Sequence, residues 1–494
     1  MKFYSTRGFG PVSGAEAVVK GLADDGGLFV PESFPAISLD DIADLAALEY
    51  PERSAYIMSK YLTDFSYEKL LGFTKKAYSR FDGEAAPVTK VDDGLFLLEL
   101  WHGPTLAFKD IALTVLPYLL TGSKKKLGID KKTQILVATS GDTGKAALEG
   151  FKDVDGVEIT VLYPAEGVSD MQKKQMITTE GKNVHVLGVK GNFDDAQTAV
   201  KKIFSDPGMK KAFSDLGYDL SSANSINFGR LVPQIAYYFS TYCDLLNAEE
   251  IELGQLVNFV VPSGNFGNIL AGYYAKRMGL PVQHLIVASN KNDVLTDFFS
   301  TGRYDAKRPF HKTMSPSMDI LVSSNLERLV FEMLDRDADK VSELMKSLKD
   351  YGFYNVDEDL LYDKAAEFLG YSCTEEETKE TIDNFFDDYS YLLDPHTAVG
   401  VTAFFKYLNE VYDDTTPTIV VSTASAYKFP QSVLDAACHI SESDPVKAAK
   451  RLSRLTSTEI PVAISGLNDK PVLHHTVVDK EDIPETVLSF VRGK

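Results

Sequence analysis

His102-Gly103-Pro104-Thr105-Leu106-Ala107-Phe108-Lys109-Asp110 is the stretch that decides how the rest of this chain is read. Beyond it, Ile111, Ala112, Val115, Leu116, Leu119 and Leu120 join Phe108 in three- and four-residue steps, which predicts a buried amphipathic helix. Gly103, Pro104 and Thr105 are turn and start signals, so Lys109 falls in the first turn. Pro117 lies inside the pattern and predicts a kink. The helix dipole disfavours a cation in the first turn, and lysine seldom belongs beside so apolar a face. Both effects favour the neutral amine, which is the form that attacks a carbonyl. Such a lysine suits an imine with an aldehyde cofactor such as pyridoxal phosphate. A lysine snorkelling from a helix edge would leave the same trace.

Working outward, Leu95 to Leu100 is a short apolar strand that runs into this helix. Ile135–Ala138, Ile159–Tyr163 and Val184–Leu187 continue as strands, with a helical pattern from Val168 to Thr178 between the last two. A second series begins near residue 225, with strands at Val257–Val261, His284–Ala288 and Thr418–Val421 and a helix from about Ile269 to Met278. Strands separated by helix-length segments imply parallel βαβ units, whose ligands sit at the carboxyl edge of the sheet. Between the last two strands lies an acidic, mainly helical insertion (about 331–390), in which Thr374 and Glu377 form a capping box. Asp394-Pro395 opens a further helix. Residues 1–95 mix helical patterns with turn clusters and predict a helical N-terminal lobe. The expected class is therefore α/β: two open, mainly parallel sheets, in a small domain over 96–225 and a large domain over 226–494.

A chain of 494 residues exceeds one hydrophobic core. Its net charge of −20, with no basic stripe to offset it, argues against nucleic acid and anionic membranes as partners. An anionic ligand must then be held by local donors and helix ends. Cys243, Cys373 and Cys438 are too widely spaced for a disulfide framework or a zinc site, which fits a reducing cytoplasm. The first residues, Met1 to Arg7, lack the apolar core of a signal peptide, and no apolar run reaches membrane-spanning length.

Four loops carry candidate chemistry. Gly264-Asn265-Phe266-Gly267-Asn268 joins a strand to a helix, and its amides can converge on a phosphate; a tight turn is the plain alternative. Ser140-Gly141-Asp142-Thr143-Gly144 has the same placing and could hold a carboxylate, or merely cap its helix. Asn224-Ser225-Ile226-Asn227-Phe228-Gly229-Arg230 offers amides, a hydroxyl and a guanidinium able to grip a phosphate at two points. Ser422-Thr423-Ala424-Ser425 presents hydroxyls at a strand end. His102 and His396 have no second ligand at metal spacing and read as hydrogen-bonded structural histidines.

Taken in order, these stretches resemble the threonine synthases, a family of fold-type II pyridoxal-phosphate enzymes with a tryptophan synthase β-like fold. The resemblance covers nearly the whole chain. Ser5-Thr6-Arg7-Gly8, Asp25-Gly26-Gly27-Leu28, Asp394-Pro395-His396-Thr397-Ala398-Val399-Gly400 and Ser422 to Phe429 join the loops above as its carriers. It implies pyridoxal 5'-phosphate carried on Lys109, its phosphate in Gly264, Asn265, Phe266, Gly267 and Asn268, and its ring nitrogen facing Thr423. It implies that Asn224, Ser225 and Arg230 hold the phosphate of O-phosphohomoserine, and Ser140, Gly141 and Thr143 its carboxylate. Many relatives carry asparagine where Asp142 stands, near the cofactor's phenolic oxygen; a carboxylate there is either protonated or turned away. The implied reaction is γ-elimination of phosphate and β-addition of water, the last step of threonine biosynthesis. The implied protein is a cytoplasmic monomer or homodimer with a small-molecule substrate. Two alternatives are another fold-type II lyase, such as a serine or threonine dehydratase or a cysteine synthase, and a silent phosphometabolite-binding relative.

Overall fold

The computed structural model describes residues 1–139, 141–165, 168–191 and 193–492. Two sheets dominate. The larger runs, edge to edge, Phe368–Ser372, Val282–Ser289, Val257–Pro262, Thr418–Ser422, Leu95–Glu99 and Val88–Asp92. Every neighbouring pair is parallel except the last. Central strands such as Val257–Pro262 are buried along their whole length, because helices cover both faces. The smaller sheet runs Val477–Asp479, Val184–Lys190, Val157–Pro164, Lys132–Ala138 and Tyr218–Ser221, all parallel. The expected α/β class and its two open sheets are what the chain forms.

The sheets divide the chain differently from the expected boundaries at 96–225 and 226–494. Leu95–Glu99 pairs with Thr418–Ser422 in the larger sheet, so the Lys109 segment belongs there and not with the small domain. Val477–Asp479 pairs with Val184–Lys190, and the helix Ile483–Arg492 buries Ile483, Val487, Leu488 and Val491 against the apolar face of the smaller sheet. The reason is that a parallel neighbour can be drawn from anywhere along a chain, whereas local patterning only identifies the strand. The insertion (about 331–390) is mainly helical, as expected, and it also supplies Phe368–Ser372, the edge strand of the larger sheet.

Two local expectations also change. The predicted kinked helix is two helices, Lys109–Leu113 and Leu116–Leu127, with Pro117 in the first turn of the second, where its missing N–H costs nothing. The N-terminal lobe adds a small antiparallel sheet of Val12–Ser13, Lys2–Ser5 and Phe29–Pro31 to its four helices. Among the described residues no helix is long and apolar enough to cross a membrane.

Candidate active site

Lys109 is the first residue of its helix, at the carboxyl end of the larger sheet. The segment before it is stitched to the loop that follows Thr418–Ser422. Phe108 N donates to Thr423 O at 2.8 Å, and Ser425 N donates to Leu106 O at 3.1 Å. Thr105 donates through both its amide (2.7 Å) and its hydroxyl (2.6 Å) to the buried Asp110 carboxylate. Gly103 is needed for this arrangement, since a Cβ there would lie 2.5 Å from Asp110. Leu106 sits at φ +60°, a region non-glycine residues enter only when their surroundings fix them. The Lys109 side chain is 11% exposed. Burial pushes its amine down to about 8, against the pull of Asp142 and with help from the charges of Lys428 and Arg230.

The Gly264 loop joins Val257–Pro262 to the helix Gly267–Met278. Its carbonyls are already committed: Ser323 Oγ donates to Gly264 O at 2.7 Å, and Asn325 donates to Asn265 O through its amide (3.1 Å) and its side chain (3.0 Å). Among the described residues no acceptor takes the backbone amides from Gly264 to Asn268. Phe266 holds φ +63° because its ring is clamped against Phe299 and Phe368. A Cβ on Gly264 would meet the Ser317 carbonyl at 2.8 Å, so glycine is required there. Asn268 Oδ1 accepts from the Tyr237 and Tyr238 hydroxyls, which leaves its buried Nδ2 without a partner. A run of free amides, a helix N-terminus and an orphaned amide donor together suit a phosphate.

The loop at 139–144 differs. Ser140 lies outside the described residues. The Gly141 and Gly144 amides both donate to Thr139 Oγ1 at 2.9 Å, so the expectation that Gly141 binds a carboxylate narrows to Thr143. Asp142, the first residue of the helix Asp142–Phe151, points inward. Its Oδ1 accepts from Lys428 Nζ (2.8 Å) and Gln172 Nε2 (3.0 Å); its Oδ2 accepts from Ser317 Oγ (2.8 Å) and lies 3.9 Å from Lys109 Nζ. Burial alone would raise this carboxyl, but the Lys428 and Lys109 charges hold it well below the usual carboxylate range. Of the two alternatives its sequence left, protonation is disfavoured by these charges, and the carboxylate is directed at the lysine amines.

Arg230 is buried in the third position of the helix Phe228–Asn247. One of its nitrogens donates to Ala223 O at 3.1 Å, its Nε has no partner, and burial pushes its guanidinium down to about 10. Asn224 and Ser225 are half-buried in the loop that precedes it, whereas Asn227 is spent on a cap and on Val18 O. Thr423 is buried, and its hydroxyl has no protein partner among the described residues. His102 bonds Glu99 at 2.8 Å. His396 accepts the Ser317 amide at 3.1 Å on Nε2 and so carries its proton on Nδ1, facing Asp394 at 2.8 Å. Both histidines have structural bonds.

Two residues that sequence patterning passed over complete the site. Lys428, fully buried, donates to Asp142 and to Thr105 O at 2.8 Å. Its aromatic neighbours, Tyr427 and Phe429, are the same kind of signal that marked Lys109. Arg328, also fully buried, donates to Phe29 O (3.0 Å), Ile226 O (2.6 Å) and Asn325 Oδ1, joining the N-terminal lobe, the Arg230 loop and the Gly264 loop. Next to it, Glu327 accepts from Thr6 at 2.6 Å and from Arg7 at 2.9 and 2.8 Å, which explains the Ser5–Gly8 stretch as a docking device.

Comparison with known proteins matches three family models along the chain: threonine synthase N terminus over residues 2–78, pyridoxal-phosphate dependent enzyme over 85–347, and threonine synthase C-terminal over 397–490. The chain is 41% identical to the threonine synthase of Pseudomonas aeruginosa over 88% of its own length and 90% of that protein's. It is 37% identical to human threonine synthase-like 1 over 94% of its length, but spans only 62% of that longer protein. A crystal structure of the pyridoxal-phosphate-bound threonine synthase of Brucella melitensis superposes with a TM-score of 0.88 over the whole of both chains, at 37% identity.

Proposed function

The chain belongs to the threonine synthase family of pyridoxal-phosphate-dependent enzymes, and on that premise we propose that it converts O-phospho-L-homoserine and water to L-threonine and inorganic phosphate. The observation that carries the proposal is the pairing of a desolvated amine, Lys109, with a buried guanidinium, Arg230, that has an unpartnered Nε and no carboxylate bonded to it among the described residues. A buried cation without a counter-ion is costly unless a ligand supplies the anion.

The residues fit the cofactor. Lys109 would carry it, the amides from Gly264 to Asn268 and the orphaned Asn268 Nδ2 would hold its phosphate, and the Thr423 hydroxyl would face its ring nitrogen. When bound, the cofactor supplies an electron sink for charge that develops at the substrate's α carbon. An ionised Asp142 has no proton to donate to a phenolic oxygen, so we assign it to the lysine amines. Arg230, Asn224 and Ser225 bind the substrate phosphate and draw it away as the γ C–O bond breaks. Thr143, with Ser140, orients the carboxylate. The buried Lys109 amine takes the α proton and moves a proton at the β carbon, where water then adds. The net reaction consumes one water and releases one phosphate. A dehydratase has no use for a buried arginine waiting on an anion, which disfavours the alternative lyases. Three free cysteines support a reducing, cytoplasmic setting, and we propose a monomer or homodimer.

Borohydride treatment followed by peptide mapping should find the cofactor on Lys109 alone. Lys109→Ala should release no phosphate from O-phosphohomoserine. Arg230→Ala should raise KM by about 3 kcal/mol, roughly two orders of magnitude, through loss of charge-assisted bonds. An unchanged KM would remove Arg230 from the substrate site.

A further inference from the structure

A carboxylate buried beside Lys109 poses an electrostatic problem. A bare anion 3.9 Å from the amine would hold it as an ammonium and take away the base the reaction needs. The structure answers with a second lysine. Lys428 Nζ lies 2.8 Å from Asp142 Oδ1, closer than Lys109 lies to Oδ2, and its side chain is completely shielded from solvent. Its other bond, to Thr105 O, anchors it on the very segment that carries Lys109. Gln172 adds a second bond to Oδ1 and Ser317 one to Oδ2. Both oxygens of Asp142 are thus hydrogen-bonded without Lys109.

We propose that Lys428 is a positioning residue: it neutralises Asp142 so that the Lys109 amine stays available in its neutral form. The inference rests on Lys109 being the cofactor-bearing amine. The charges bearing on Lys109 are Asp142, Lys428, Arg230 and Asp110; His396, whose Nε2 accepts a bond, meets Asp142 only through Ser317. Asp110 is occupied by Thr105, and Arg230 is the same sign as Lys428. Of this set, only Lys428 both quenches Asp142 by direct contact and repels a second charge on Lys109. The Asp142–Lys428 pair also spans the two sheets: Asp142 and Gln172 come from the smaller, Lys428 and Ser317 from segments of the larger. It therefore sets the position of Lys109 relative to the substrate-carboxylate loop as well as its charge.

The test is the titration of Lys109 itself. In the full-length chain stripped of cofactor, pulsed reductive methylation at a series of pH values, quantified on the Lys109 peptide, gives the amine's midpoint. The pH–rate profile of the holoenzyme gives a second reading. Lys428→Met should raise the midpoint by about one unit or more, which is about tenfold less free amine at pH 7. Lys428→Arg should restore most of that shift. Asp142→Asn should lower the midpoint, and the Asp142→Asn/Lys428→Met double variant should return it near that of the unaltered chain. An unmoved midpoint in Lys428→Met overturns the inference, as does a double variant displaced as far as Lys428→Met alone. Should Lys428→Met not fold, the two variants that lack Asp142 carry the test. The midpoint must lie lower in Asp142→Asn than in the double variant, and equal midpoints overturn the proposal. If borohydride instead labels a residue other than Lys109, the functional assignment fails and not merely this refinement of it.

Discussion

Two turns of the same design meet at this site and have been finished in opposite ways. Each leaves the carboxyl end of a buried parallel strand and opens a helix. At Gly264–Asn268 the carbonyls are tied back by Ser323 and Asn325, so every amide is left for a ligand. At 139–144 Thr139 consumes two of the amides from within, and the first helical residue, Asp142, carries a carboxylate that Lys428 neutralises. The first turn has the free donors of an anion receptor. The second is an internally neutralised joint, with Thr139 answering two of its amides and Lys428 its charge. A helix N-terminus is a site only when nothing in the chain already satisfies it.

The sharpest way to break this contrast is to put into the first turn the charge the second already tolerates. Asn268→Asp keeps the shape and keeps an acceptor for Tyr237 and Tyr238, but it replaces the orphaned donor with an anionic oxygen. Among the described residues no lysine bonds this side chain, as Lys428 does Asp142. At about 4 Å and an effective dielectric of about 20, the repulsion of a bound phosphate is about 4 kcal/mol, so cofactor affinity should fall roughly a thousandfold. Equilibrium titration with pyridoxal phosphate measures it. Unchanged affinity would mean that the phosphate does not bind there.

The mirror experiment empties the second turn. Thr139→Val preserves volume and leaves the buried amides of Gly141 and Gly144 without an acceptor. The cost should be about 2–3 kcal/mol of folding stability, read from urea unfolding, with cofactor affinity little changed. Equal losses of stability and cofactor affinity would show that the two turns are not independent.

How much of this was legible in the sequence follows from which forces are local. Strands, capping residues and Lys109 could be found because each leaves its mark within a few residues: Thr374 and Glu377 do form the capping box, and Lys109 does head a buried helix. Sheet membership could not be found. Leu95–Glu99 is parallel to a strand more than 300 residues away, and the helix at Ile483–Arg492 closes over strands from the first half of the chain. Arg328 was hidden because Glu327-Arg328 reads as a surface pair, although the two side chains serve different partners, one docking the N-terminal lobe and the other bracing the ligand loops. Lys428 was legible in principle, between Tyr427 and Phe429. Only the structure shows that it meets Asp142.

The smallest expected effect separates the turns by pH. The Gly264 turn holds no titratable side chain, whereas the 139–144 turn holds one whose folded pKa lies well below its unfolded value. A carboxyl depressed by folding contributes stability that is complete above its unfolded pKa of about 3.9 and is lost as pH falls below it. Between pH 5 and pH 3.5 the unfolded chain begins to take up a proton at this position and the folded chain does not. For one such group the loss over that window is about 0.7 kcal/mol, whatever the depth of the folded value. Asp142→Asn, less stable at neutral pH because Lys428 loses its partner, should therefore show an acid slope shallower by that amount. Urea unfolding of both proteins at the two pH values measures it. Identical slopes would mean that Asp142 takes up a proton in the folded protein as readily as in the unfolded one. The second turn would then hold an ordinary carboxylate that its lysines do not stabilise, and the contrast between a receptor and an internally neutralised joint would collapse into two variants of one cap.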